Sequence, residues 1–228
     1  MNQAHPKVIA RIASAVLVLS SLALSVQARA EDLKVNPDNG NNTFTAIFDA
    51  PLGERITAVS SSVSCDIAYD EKSATASGRC SVPLTTVMVD NEKTKTEHFR
   101  DWATNKKSKP QACTFEAKFA DIKLSEPLAP EKSAKFSADA PFTICGRNRS
   151  DGGKEHVEGS AVLVSAESKT IRIRARVPKF NRDAYQIGPK YTDGWFARVQ
   201  SLAKVVAEEG EIELTLFARP SSAQHSSR

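Results

Sequence analysis

Three side chains in the stretch "TEHFRDWA", Glu97, His98 and Asp101, have the types needed for proton transfer: an imidazole that titrates near neutrality with two carboxylates close by. Their spacing works against a joint role, because neighbours at i and i+1 on a helix point in different directions. The other histidines downstream of the first thirty residues are His156 and His225. No second histidine or cysteine completes a metal-ligand spacing around any of them. There is no G-x-S-x-G elbow, no H-E-x-x-H and no glycine-rich phosphate loop. The expectation is therefore no catalytic centre and no metal. An enzyme, with Glu97, His98 and Asp101 as the first residues to test, stays as a rival.

Four cysteines, Cys65, Cys80, Cys113 and Cys145, are the other reactive side chains. They include no C-x-x-C, the spacing that lowers a thiol pKa for redox work, so structural disulfides are expected. Four cysteines allow three connectivities. Cys65 and Cys80 are symmetric about "DEKSAT", and Cys113 and Cys145 about "PLAPEK". If these are hairpins, the pairs 65 with 80 and 113 with 145 would each span neighbouring strands.

Such bridges need an oxidising compartment, and the N-terminus supplies an address. Lys7 and Arg11 flank an apolar, acid-free run from Val8 to Val26, and "ARA" at 28–30 offers small residues for cleavage. Residues 1–30 read as a secretory signal cut near Ala30, which makes the protein periplasmic or secreted. Cleavage removes three of the 31 basic residues and none of the 27 acidic ones, so the mature chain is near neutral. A near-neutral chain lacks the concentrated basic surface of a nucleic-acid binder. Residues 31–42 and 220–228 read as flexible flanks around one domain, 43–219.

Period-two alternation dominates that domain. Strands are expected at 43–48, 63–69, 78–89, 113–119, 134–145, 156–164, 171–177 and 211–217, with Pro83 marking a bulge or an edge. Two segments have helical spacing instead: 93–103, and 192–209 with Trp195, Phe196, Val199, Leu202, Ala203 and Val206 on one face. Eight strands can close as a barrel or stack as a sandwich, and periodicity does not choose. In "IRIRARV", Arg172, Arg174 and Arg176 share one face. The acidic alternation of Glu211 and Glu213 would give them ladder partners, with contact to anionic membrane surfaces as the alternative.

The order of motifs resembles the YceI-like family. "VMVDN" (87–91) precedes the helical "TEHFRDW" and then "PQACTFEAKF" (110–119). His98, Phe99 and Arg100 match the family's His-Leu-Arg-like run, and Pro110 and Phe115 match its Pro-x-Ala-x-Phe strand with one residue inserted. "VPKFNRDAYQIGP" (177–189) is similar to its late strand and Gly-Pro-like turn. The departures are Lys95 and Thr96 in place of an Arg-Asp pair, the cysteines, and a longer 192–209 segment. The resemblance implies an all-β, single antiparallel eight-stranded lipocalin-like barrel with one or two short helices at a mouth. It also implies no cofactor beyond a bound isoprenoid or fatty-acyl lipid.

Inward positions on those strands would be Phe44, Phe48, Ile67, Phe115, Phe119, Phe136, Phe142, Ile144, Ile173, Val177, Leu214 and Leu216. Alanines such as Ala46, Ala117, Ala138 and Ala175 beside the phenylalanines would leave room along a tube. Tyr185, Trp195 and Phe196 would form an amphipathic rim. The partner expected is an amphiphilic lipid, with two rivals: a solid-barrel protein-interaction module using loop 147–156, and an enzyme acting on a lipid head group through Glu97, His98 and Asp101; the oligomeric state, a homodimer included, is left open.

Overall fold

The computed structural model describes residues 30–105, 108–192 and 206–221. Its strands are β1 (Glu31–Val35), β2 (Thr43–Asp49), β3 (Arg55–Ser60), β4 (Ser64–Asp70), β5 (Thr75–Pro83), β6 (Met88–Val89), β7 (Thr114–Lys123), β8 (Ser133–Ala140), β9 (Phe142–Ile144), β10 (Glu155–Ser165), β11 (Thr170–Asn181) and β12 (Glu209–Pro220). Among the described residues two helices join them, α1 (Lys93–Thr104) and α2 (Pro189–Thr192). Every ladder is antiparallel.

All eight expected strand regions are extended, but the strands among the described residues number twelve. Pro83 ends β5 ahead of the 3-10 turn Leu84–Thr86, and Pro141, which has no N–H to donate, separates β8 from β9. Two strands escaped the sequence reading. β3 is short and polar at its start. β1 falls in the supposed flexible flank, yet all five of its residues pair with β4, and it also touches the end of β12.

One path of pairing runs β6-β3-β2-β12-β1-β4-β5-β7-β9, and a branch leaves β12 through β11 and β10 to β8. β12 is the hub, since its length lets it pair with β11 on one side and with both β1 and β2 on the other. The gap between β1 and β2 is bridged by Asn42, whose amide donates to the Asn36 carbonyl and accepts from the Phe217 N–H. The ladders do not close into a ring. β7 and β8 share the single bridge Leu124 to Phe136, flanked by N–H donation from Ser125 to Lys135 and from Lys118 to Pro141. The sheet is thus all-β and antiparallel as expected, whereas a closed eight-stranded ring is not shown by its hydrogen bonds.

Both disulfides pair as the hairpin argument favoured. Cys65 and Cys80 lie opposite each other in the β4–β5 ladder, and Cys113 with Cys145 staples the start of β7 to the end of β9. Cystines on neighbouring strands fit an oxidising, extracytoplasmic setting. The signal segment lies outside the described residues, Ala30 excepted.

Candidate functional site: two apolar chambers inside the sheet

α1 covers one end of the interior. Thr96 fixes its start by donating to the Glu92 carbonyl while accepting from the Val89 N–H, and Lys95 bridges Asp90, Glu92 and Glu54. Those acids hold the Lys95 ammonium above its ordinary pKa. Arg100 ties the helix to the carbonyls of Thr85 and Val87. The helix so placed lays Phe99 and Trp102 against the core.

Beneath it lies a chamber of about 220 Å³, and beyond that a second of about 130 Å³. Each is far larger than the space one water needs. Of the inward positions read from the sequence, Phe44, Phe48, Phe115 and Ile144 line the first, and Ile67, Phe119, Phe136, Ile173 and Leu216 the second. Phe142 and Leu214 line both, together with Cys80 and Ala117. Val177 is fully buried but lines neither chamber. Phe99 and Trp102 line the first chamber as well, although the sequence marked them only as a helix face.

How a phenylalanine-rich sheet keeps space inside is visible in three cross-strand pairs. Gly210 faces Phe48, Gly78 faces Phe119, and Gly159 faces Phe136. A Cβ at these glycines would stand 2.5, 3.0 and 2.5 Å from atoms of those rings, so each ring lies across its glycine. The same Cβ would meet the carbonyl oxygens of Ile47, Asp66 and Arg174 at 2.2–2.3 Å, which also excludes a side chain. Laid flat, the rings coat the wall and do not fill the lumen.

Tyr185 is not a rim residue. It is fully buried, stacks on Phe180 at 5.3 Å, and donates its hydroxyl at 2.7 Å to Glu155, which is 1% exposed. Phe180 lines the first chamber, so Tyr185 is one layer behind its wall. Burial and the Glu155 charge push the phenol well above its ordinary pKa, and Arg149 supplies the counter-charge at 2.8 Å. The reason Tyr185 points inward is its position in the 3-10 turn Asp183–Tyr185, held by Arg182. That guanidinium, 5% exposed, donates to the carbonyls of Ile187, Val206 and Ala207, and burial lowers its pKa. The other two rim candidates, Trp195 and Phe196, lie outside the described residues.

Catalytic geometry is sparse. Glu97, His98 and Asp101 are all exposed on α1; Glu97 pairs with Lys93, and His98 touches the edge of the first chamber. On the outer face of β8 and β10, His156 bridges Asp139 at 2.9 Å and Ser137 at 3.2 Å. Both members of that contact are more than half exposed, where water competes for the same groups. Among the described residues no cluster of three His, Cys, Asp or Glu side chains forms a metal site.

The arginine ladder forms in part. Of Arg172, Arg174 and Arg176, only Arg176 has an ion pair among the described residues, with Glu211, which also holds Arg55. Register explains this: Arg172 and Arg174 face Phe217 and Thr215.

The architecture defined so far is an all-β, antiparallel fold enclosing apolar space. It is similar to the solved structure of a polyisoprenoid binding domain from Saccharophagus degradans implicated in plant cell wall breakdown. The likeness has a TM-score of 0.57 and covers 84% of this chain and 99% of that one, at 13% sequence identity. At that identity it speaks for the fold alone. No family model matches the chain, and no curated protein matches it.

Proposed function

We propose that the protein holds the hydrocarbon tail of a polyisoprenoid or other long-chain amphiphile, non-covalently, in the two chambers. The observation that carries this is their contiguity: two apolar chambers share four wall residues inside a fold like that of a polyisoprenoid-binding domain. Twelve strands act in this reading as eight staves. β1 with β2, β3 with β4, β5 with β6, and β8 with β9 each follow one line along the sheet, and β8 and β9 reach β10 and β7 respectively. The resulting wrap encloses the chambers as a barrel would.

A tail entering them gains about 0.8 kcal/mol per buried methylene, less the cost of ordering the chain. Walls this poor in polar groups offer a head group little, so the head stays outside. Export after cleavage near Ala30, with both disulfides formed, places the protein where it carries, stores or sequesters such a lipid. No covalent step is needed.

Native mass spectrometry of the mature protein, purified from an oxidising export compartment and followed by denaturing extraction, tests the proposal. An added mass that leaves on denaturation and yields isoprenoid or acyl fragments is expected. A bare protein that also takes up neither prenols nor fatty acids would overturn it.

A further inference from the structure

We propose that Leu214 and Phe142 form a constriction between the two chambers that sets the tail length the protein accepts. This rests on the lipid-holding reading above. Four residues line both chambers: Cys80, Ala117, Phe142 and Leu214. Cys80 is tied back to Cys65, and Ala117 has no side chain with reach, so the partition is made by the two large ones. Leu214 also belongs to a row running across five strands in register, Phe136, Gly159, Ala175, Leu214 and Phe44. In that row the Arg174 carbonyl of β11 comes within 2.2 Å of where a Gly159 Cβ would stand. Of that row Phe136 and Ala175 line only the second chamber and Phe44 only the first, so Leu214 stands where the two meet.

A tail growing inside the first chamber gains about four-fold in affinity per methylene. Once its tip reaches Leu214 and Phe142, further growth must displace those side chains, and the gain per methylene falls. Leu214 is movable at modest cost because it is half-buried and its register neighbour on β11 is an alanine. Tail length is thus discriminated by one side-chain layer.

The test is a titration of delipidated mature protein with two homologous series, saturated fatty acids and linear prenols, in wild type, Leu214→Ala and Ala117→Leu. Wild type is expected to show a slope of about four-fold per carbon that breaks at one length. Leu214→Ala moves the break to longer tails. Ala117→Leu, which thickens the partition, moves it to shorter ones and gives an independent reading if the first variant does not fold by circular dichroism. An unbroken slope in wild type, or a break that neither variant moves, overturns the constriction while leaving the cavity in place. Failure of both series to bind at any length overturns the lipid reading, and the constriction with it.

Discussion

Replacing Tyr185 with phenylalanine separates a buried wall support from a lipid-facing rim. The ring stack on Phe180 is retained, and Glu155 keeps its 2.8 Å contact with Arg149. What is removed is one hydroxyl that donates at 2.7 Å to a carboxylate that is 1% exposed. A hydrogen bond to a charged group contributes about 1.5–3 kcal/mol, so a loss near 2 kcal/mol is expected. For a domain of this size each kcal/mol moves Tm by about 2–4 °C, and Tm should fall by about 4–8 °C. The variant should also lose an alkaline signature. The folded state raises the phenol's pKa, so Tyr185 contributes stability that is present below its ordinary value of 10 and lost as pH rises above it. Urea unfolding at neutral pH and at high pH measures both effects. A loss of less than about 0.5 kcal/mol, or normal stability with diminished lipid retention, would refute the buried assignment and restore the rim.

Three further outcomes follow from the same geometry. Ile173→Glu places a carboxylate in the wall of the second chamber, with no partner prepared for it; long tails should stop binding, and retained long-tail lipid in a folded variant would mean that β11 faces the other way. Gly159→Ala forces a methyl against the Arg174 carbonyl and the Phe136 ring, and a loss of about 1–3 kcal/mol is expected by urea unfolding. On the acid side, hydrogen bonds from Lys72 to Asp70, from Arg149 to Asp151 and from Arg176 to Glu211 hold these carboxylates below their ordinary values. Depressed carboxylates stabilise above their unfolded pKa and lose that stabilisation as pH falls, so Tm should be flat above about pH 5 and drop below about pH 4.

Alternation carried most of the fold, because a half-buried strand must place apolar residues at every second position and almost nothing else imposes that period. Where it failed, the cause was specific. β1 has the sequence "EDLKV", too short to separate from a polar tail, and it is a strand only because β4 and β12 offer it partners. The chamber linings on β2, β7 and β12 were legible for the same reason of period. Tyr185 was not: an aromatic with a polar tip suits a rim, and nothing local reveals that Glu155, thirty residues earlier in the chain, waits inside to accept a hydrogen bond from its hydroxyl. Phe99 and Trp102 were visible as a helix face, but what that face covers depends on Lys95 and Arg100 fastening α1 to the sheet.

The glycines explain why this composition leaves apolar chambers inside the sheet. Phenylalanines on inward positions would ordinarily interdigitate and close a small barrel, since side chains alone suffice to fill eight strands. Here Phe48, Phe119 and Phe136 each face a glycine across the ladder, and each ring turns down onto bare backbone. Phe48 is buried and Phe119 and Phe136 are partly buried, so much of the hydrophobic gain is kept against the wall. Alanine at 46, 117 and 175 continues the recess along the chamber walls, and Leu214 is a large side chain that lines both chambers. Filling and emptiness are thus decided by which residue faces each phenylalanine across the strand, a pattern that requires the register and not merely the sequence.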